Sequence, residues 1–254
     1  MNKLKSTIGW VVGLLLLTVL TVLSVQRKAN SNVEELIIDI KGVEGQKSLV
    51  TKSYINKKIN AYLGYNVDMA TINDINLIEL EEIILADERV SEAELYLDSN
   101  NQLHVEIVEK KVIVRVKTND STYYLDENGD QIAVTIGRVA RVPLATGDIE
   151  PYDLSLIQSK RKSNLKDIYL LAYELTKDHF LKALIEQIDI DLNGMVTMVP
   201  KIGREKIHLS VSDLEEKLFK LKYFYKDGLT KEGWSKFSVL DLDIKDQVVA
   251  TLKN

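Results

Sequence analysis

The sequence predicts an α+β protein in which one N-terminal transmembrane helix precedes a body of mixed strands and helices. Three observations predict this class. Residues 8–25 form an apolar run without charge, residues 33–110 carry strand and helix patterns in turn, and residues 111–254 add further strands and helices that favour a mainly antiparallel sheet. The chain has no other comparable apolar run, so one membrane crossing is expected.

The apolar run of residues 8–25 is long enough to cross a bilayer. A helix of this length spans about 27 Å, close to the ~30 Å hydrocarbon core. A cleaved signal peptide is the alternative, but its apolar core is usually shorter, and the best cleavage candidate here, Val22-Leu23-Ser24, is poor. The run therefore predicts a retained anchor, with residues 1–7 as a short cytoplasmic tail and residues 26–32 as a linker.

Orientation does not follow from charge alone, because basic residues flank both ends of the anchor. The short segment before the anchor favours a cytoplasmic N-terminus and an exported body. All 38 acidic residues lie after the anchor, and the whole chain has a formal net charge of −5. An acidic body of this kind is a poor candidate for nucleic-acid binding. The absence of cysteine excludes disulfides, thiolate metal sites and cysteine nucleophiles.

The patterns in residues 33–110 follow the order strand, helix, helix, strand, strand. Thr51 can cap the first helix, Ile55 and Ile59 lie on one apolar face of it, and Gly64 can end it. The expected elements are a strand over 36–40, a helix over 51–64, a helix that begins near Asn73 or Asp74 and runs to about 87, and strands over 93–97 and 103–107. These elements predict two helices packed on one face of a small sheet.

The clearest local pattern in the second half is a hairpin around Asn193-Gly194. Ile188 and Ile190 alternate with acidic residues before it, and Asn-Gly supplies the positive φ angles that a two-residue turn needs. Helical faces are expected over 168–175, 180–185 and 214–225, the last capped by Asp213, and strands over 206–211 and near the end of the chain.

No catalytic, metal or cofactor motif is visible in the sequence. The three histidines, His104, His179 and His208, are widely separated, and His104 and His208 alternate in strands as solvent-facing residues would. No glycine-rich loop that could hold a nucleotide follows a strand. Spacing in the sequence does not decide whether a Ser-His-Asp triad forms, because triads assemble in space. The aromatic run 223–225 is either a docking surface or part of the core.

These features together resemble the FtsQ/DivIB family of cell-division proteins. The strand-helix-helix-strand-strand order directly after one anchor is similar to a POTRA (polypeptide-transport-associated) domain. The join that follows resembles that of the family in Glu109-Lys110, in the strand 112–116 and in the turn 125–129. Further similar segments are Pro143 with Gly147, the strand and helix over 206–221, and the terminal pair formed by 240–242, the turn 245–247, and Val248-Val249.

The resemblance covers nearly the whole chain, with two departures. Lys111-Val112 stands where the family often has proline after the basic pair, and Ser210 stands where it often has glycine. The resemblance implies a POTRA domain over 33–110 and an FtsQ/DivIB-like β domain over 111–254. It also implies a single-pass protein of the bacterial inner (cytoplasmic) membrane, with its body in the periplasmic or extracytoplasmic space at the division septum.

The function implied by the resemblance is a non-enzymatic scaffold that links other divisome proteins. The expected partners are bitopic coiled-coil division proteins of the FtsB/FtsL type, with no nucleic acid, no small-molecule substrate and no cofactor. A partner strand could add to the terminal edge of the sheet. The residues expected to form this partner-binding edge are Ile244, Lys245, Asp246, Gln247, Val248, Val249, Ala250 and Thr251.

Two other functions stay open at this point. An anchored or secreted envelope hydrolase would need a histidine or paired carboxylates with displaced pKa values in a cleft. A POTRA component of protein transport or outer-membrane assembly would be expected to carry tandem POTRA repeats, and the sequence shows one such block.

Overall fold

The computed structural model describes residues 2–45, 47–135, 137–228 and 236–253, so the predicted domain limits at residues 1 and 254 lie outside the described residues. Contacts divide the chain into two compact units. The first unit comprises Met1–Gly42 and Val50–Glu109, and the second comprises Val43–Leu49 and Lys110–Asn254. The fold is α+β, as the sequence predicts. Whether these units fold as the two predicted domains stays a prediction.

The N-terminal helix α1, Asn2–Ala29, is 28 residues long. Its window Val12–Ala29 has a mean hydropathy of 1.5 and is not buried against any described part of the chain. The helix includes the apolar run 8–25 and continues into the predicted linker. Neither glycine nor proline occurs between residues 14 and 29, so nothing in the sequence breaks the helix before Asn30.

The first unit contains a three-stranded sheet with the strand order β1-β3-β2. Strand β1 is parallel to β3, and β2 is antiparallel to β3. The elements are β1 (Glu35–Lys41), α2 (Lys52–Leu63), short 3₁₀ turns at Val67–Met69 and Ile72–Asp74, α3 (Leu77–Leu85), β2 (Val90–Leu97) and β3 (Gln102–Glu109). Both helices contribute to one buried cluster with β3, in which Ile55, Leu80 and Val105 are fully buried.

Local capping explains the ends of α2. Thr51 Oγ1 accepts the N–H of Tyr54, and Gly64 adopts the left-handed conformation with a φ of 81°. Both predicted helix ends are confirmed. The predicted start of α3 near Asn73 or Asp74 is wrong, because those residues belong to a separate 3₁₀ turn in which Thr71 and Asp74 form a capping box. Helix α3 begins only after Asn76, whose side chain caps it.

The second unit contains a nine-stranded mixed sheet with the order β12-β11-β10-β9-β8-β7-β4-β5-β6. Its strands are β4 (Val112–Lys117), β5 (Thr122–Asp126), β6 (Gln131–Ala133), β7 (Leu144–Gly147), β8 (Ile185–Ile190), β9 (Val196–Pro200), β10 (Lys206–Leu209), β11 (Phe237–Asp241) and β12 (Val249–Leu252). Five of the eight pairings between neighbours are antiparallel; β4–β7, β7–β8 and β10–β11 are parallel.

Among the described residues, four helices accompany this sheet: α4 (Leu154–Gln158), α5 (Asn164–Thr176), α6 (His179–Leu184) and α7 (Leu214–Tyr223). Helix α7 runs on into a π turn at Phe224–Gly228. Helix α5 buries its predicted apolar face in the main core, which it shares with β8 and α7. A second, smaller cluster contains Leu49, Tyr124 and Ile132. The adjacent Tyr123 lies in the main core, so β5 is covered on both faces.

The predicted hairpin around Asn193-Gly194 is confirmed, because β8 and β9 are antiparallel neighbours, but the predicted two-residue turn is wrong. Strand β8 ends at Ile190 and β9 begins at Val196, which leaves a five-residue loop. Gly194 has a positive φ of 79°, but Asn193 does not, so the turn cannot be the type that Asn-Gly favours. The Asp191 carboxylate accepts the N–H of Asn193 and of Met195, which stabilises the longer loop.

Asp213 occupies the predicted N-cap position of α7 but does not act as expected. Its backbone is left-handed, with a φ of 49°, and its side chain makes no capping hydrogen bond.

Strands β7 and β8 approach each other closely. Thr146 Oγ1, on β7, lies 2.6 Å from Asp189 Oδ1, on β8. At the end of β7, Gly147 has a φ of 109°, and a Cβ atom there would lie 2.0 Å from the carbonyl oxygen of Ile190.

Candidate partner-binding edge

Strand β12 forms one edge of the nine-stranded sheet. It pairs antiparallel with β11, with Asp241 opposite Val249 and Leu240 opposite Ala250. No strand lies on its outer side within the part of the chain that the structure describes. The structure therefore divides the predicted partner-binding residues into two groups: residues 244–248 form the connection to β12, and Val249, Ala250 and Thr251 lie on the strand itself.

The hydrogen bonds show which backbone groups of β12 face outward. The N–H of Lys253 donates to the carbonyl of Lys236, just before β11, at 3.0 Å. Successive residues of a strand direct their N–H and C=O groups to opposite sides. The N–H of Thr251 therefore points to β11, whereas the N–H and C=O groups of Ala250 and the N–H of Leu252 point to the outer side. The carbonyl of Leu252 accepts the hydroxyl of Ser238, on β11, at 3.3 Å.

The hydrogen bonds between β11 and β10 lead to the same orientation of the β12 backbone. The N–H of Leu242 donates to His208 O at 3.0 Å, on the side of β10. By alternation the N–H of Asp241 points to β12, where it meets Val249. Val249 thus takes part in the internal ladder, and Ala250 is the central residue of the outward-facing edge.

The connection before β12 is held from α7. Lys220 Nζ donates to the carbonyl of Ile244 at 2.8 Å and to that of Leu242 at 3.3 Å. Asp246 adopts a positive φ of 60°, which aspartate tolerates in turns. Val248 is half-buried and packs against the main core, whereas the side chain of Val249 is 44% exposed. The edge is therefore fixed on its inner side and open to solvent on its outer side.

A groove of about 460 Å³ lies between α7 and the connection to β12. Its lining includes Val248 and the aromatic rings of Phe219 and Tyr223, which are 68% and 64% exposed. The two alternatives for the aromatic run 223–225 are both partly correct. Tyr223 is exposed in the groove, Phe224 packs against Phe237, and Tyr225 is fully buried.

Sequence reasoning missed Phe219 in the groove and Leu252 on the edge strand. The spacing on α7 could have indicated Phe219. Phe219 and Tyr223 are four residues apart, so they share a face of the helix, and this face differs from the one that carries the buried Leu218 and Leu221. No local pattern distinguishes Leu252 from the residues before it. Its place at the edge follows from the sheet order.

The three histidines lie on different elements of the fold. His104, His179 and His208 lie on β3, α6 and β10, and the described residues contain no group of three or more His, Cys, Asp or Glu suited to a metal. As the alternation predicts, His104 lies on the face of β3 opposite the buried Leu103 and Val105, and its half-buried ring stacks there on Tyr96 with centroids 4.7 Å apart.

The buried acidic groups have structural partners. Burial alone would raise the pKa of Asp87, but hydrogen bonds from Arg89 and Tyr54 outweigh it and hold the pKa well below its usual value. Burial and a hydrogen bond to the Glu205 carboxylate raise the pKa of Tyr225 far above its usual value. Both shifts thus arise from burial and from named neighbouring side chains.

The second unit matches a known family. A family profile described as "FtsQ/DivIB, C-terminal related" matches residues 111–251, more than half of the chain.

The chain belongs to this FtsQ/DivIB-related family.

The assignment confirms the family that the sequence resembles. No curated protein matches the chain. Membership of the FtsQ/DivIB family indicates a role in cell division, and the proteins of this family are non-enzymatic division proteins. Together with the apolar helix α1, it indicates a membrane-anchored protein.

Proposed function

We propose that this FtsQ/DivIB-family protein is a single-pass scaffold of the bacterial division septum. Helix α1 crosses the inner membrane with its N-terminus in the cytoplasm, and the body lies outside the cytoplasm. There the protein links other membrane-anchored division proteins without catalysing a reaction. The family assignment supports the cell-division role, and the observation that supports a linking role is the outer side of β12, where no described strand pairs.

The partners in this proposal are bitopic coiled-coil proteins of the FtsB/FtsL type. A partner segment adds as a strand beside β12, where the outward N–H and C=O groups of Ala250 and the outward N–H of Leu252 supply main-chain hydrogen bonds. Such bonds give affinity without regard to sequence, and pockets for side chains give selectivity. The groove beside Phe219 and Tyr223 offers such a pocket for an apolar side chain of the partner.

The first unit is the POTRA domain in this proposal. Its order β1-α2-α3-β2-β3 and its central strand β3 support the assignment. The family profile covers only residues 111–251, so it supports the proposed role of the edge but does not bear on the role of the first unit. Neither an envelope hydrolase nor a transport component is favoured by the family assignment.

Replacement of Ala250 by proline tests the strand-addition mechanism. Proline removes an N–H that points outward, and an edge strand tolerates this loss. The partner strand, however, loses the hydrogen bond to that N–H and clashes with the proline ring. Binding of the full chain in nanodiscs to a bitopic coiled-coil division protein should weaken by at least about tenfold. Val249→Ala, which shortens an exposed side chain and keeps every backbone donor, should bind nearly as wild type.

Circular dichroism and thermal melting must show that Ala250→Pro is folded. A folded Ala250→Pro variant that binds the partner as tightly as the wild type would refute strand addition at β12. The family role in division would remain, and the contact surface would then lie elsewhere.

A further inference from the structure

A second surface of the protein is a basic cleft in an otherwise acidic chain. The cleft has a volume of about 600 Å³ and lies within the second unit, between the segment 43–45, the end of α5, helix α6 and the residue after β9. Its basic lining residues are Lys111, Arg141, Lys177, Lys182 and Lys201, and Glu44 is its one acidic residue among those described. The lining thus carries a formal excess of four positive charges, whereas the whole chain carries −5.

Two of the five basic side chains are neutralised from outside the cleft. Lys111 Nζ lies 3.1 Å from a carboxylate oxygen of Glu127, and Lys177 Nζ lies 2.7 Å from one of Glu174. These pairs are partly exposed and contribute little to stability. The unneutralised positive charge of the cleft therefore comes from its other three basic residues.

The other three basic side chains, Arg141, Lys182 and Lys201, form no ion pair with any residue that the structure describes. Lys182 is half-buried on α6, and the backbone of Lys201 is fixed by a 2.7 Å hydrogen bond from its N–H to Leu184 O. Like charges gathered around one cavity repel one another and raise the local concentration of anions. The three cations are thus placed around a space that a multivalent anion can occupy.

The kind of cation indicates the kind of anion. Four of the five basic residues are lysines, which act as compact point charges on flexible stems, and only Arg141 offers a planar fork. A cluster of lysines therefore favours an anion that carries several charges close together over an anion that presents a single carboxylate. A diphosphate concentrates several charges in a small volume, whereas an acidic peptide brings one charge per residue. The cleft is also within the usual size range of small-ligand pockets, about 300–1,000 Å³.

We propose that this cleft binds a diphosphate group. The group has two possible sources, a soluble diphosphate or a diphosphate carried by a lipid, since the protein is membrane-anchored. This site is separate from the β12 edge, so a result that refutes strand addition does not refute diphosphate binding, and the converse also holds.

The test measures lysine acetylation by mass spectrometry on the full chain in nanodiscs of phosphatidylcholine. Sodium diphosphate should slow acetylation of Lys182 and Lys201 but leave Lys57 and Lys117, which are exposed elsewhere, unchanged. In calorimetric titration, Lys182→Gln with Lys201→Gln should weaken diphosphate binding by at least about tenfold. Lys57→Gln with Lys117→Gln removes the same charge and should bind as wild type.

A second set of nanodiscs contains farnesyl diphosphate in place of the soluble salt. Protection of Lys182 and Lys201 in these discs alone would support the lipid-borne source, and protection by sodium diphosphate would support the soluble one. The proposal is overturned if neither probe protects the two lysines, or if Lys57 and Lys117 are protected equally. It is also overturned if a hexaglutamate peptide protects them better than diphosphate, because the cleft would then suit an acidic protein segment.

Discussion

Lys217 Nζ lies 2.7 Å from Asp243 Oδ1, and the lysine side chain is only 7% exposed. The same ammonium group donates to the carbonyl and the hydroxyl of Ser210, at 3.0 and 2.9 Å, and to the hydroxyl of Ser212. Asp243 in turn accepts the N–H of Ser210 at 2.8 Å. This network ties α7 to the chain just before the connection to β12.

Replacing Lys217 with methionine should therefore loosen the edge. The variant leaves the Asp243 carboxylate and the Ser210 carbonyl without their buried donor, at a cost of about 2–4 kcal/mol in the free energy of unfolding. Urea unfolding of the full chain in detergent micelles measures this loss. The exposed Lys206 is the matched control, because Lys206→Met removes the same charge from the neighbouring β10. Equal effects of the two substitutions would contradict a positioning role for Lys217.

Asp87 should make the first unit sensitive to acid. Arg89 donates to its two oxygens, with Nε and Nη2 each at 2.8 Å, and the hydroxyl of Tyr54 donates at 2.8 Å. The pKa of Asp87 is lowered by folding, so its contribution to stability is complete above the usual value of 3.8 and is lost as the pH falls below it.

Asp87→Asn should cost the first unit about 2–4 kcal/mol at neutral pH and should reduce the loss of stability on acidification. Hydrogen exchange of peptides from α2 and β3, measured across the acid range, reports both effects. Asp39→Asn, an exposed carboxylate on β1, is the control and should change little. An Asp87→Asn variant with wild-type stability and acid response would show that the ion pair contributes nothing net.

Gly147 should tolerate alanine much less than Gly64 does. Both have a positive φ, 109° and 81°, but a Cβ at position 147 would lie 2.0 Å from the backbone oxygen of Ile190, while position 64 has no heavy atom within 4 Å. Gly64→Ala should cost about 1 kcal/mol from conformation alone. Gly147→Ala should cost at least about 3 kcal/mol, because β7 and β8 must also separate. Urea unfolding compares the two, and similar costs would be inconsistent with the close strand approach.

The predicted domain boundary at residue 110 can be tested with these same variants. If the units over 33–110 and 111–254 are separate folding domains, Asp87→Asn should accelerate hydrogen exchange only in the first and Gly147→Ala only in the second. Limited proteolysis should also leave a protected fragment of the first unit. A single transition that both substitutions shift equally would contradict the two-domain prediction.

Several features followed correctly from local sequence because local chemistry forms them. Thr51 caps α2 through its own hydroxyl, and Gly64 ends it because glycine adopts a positive φ without strain. The hairpin at Asn193-Gly194 shows the limit of such reasoning. The favoured turn type was overridden by the Asp191 carboxylate, which binds two N–H groups of the loop. Turn preference is a small free energy that one side chain can reverse.

The sequence by itself determined the apolar helix, the α+β class and the family, since composition, periodicity and ordered short motifs are carried along the chain. Only the tertiary structure decided that β12 ends a nine-stranded sheet, that Ala250 turns its backbone outward, and that Lys182 and Lys201 share a cleft. Strand order and surface clusters depend on contacts between residues far apart in sequence. No local pattern encodes them, because the free energy that selects them comes from burial and hydrogen bonding across the whole unit.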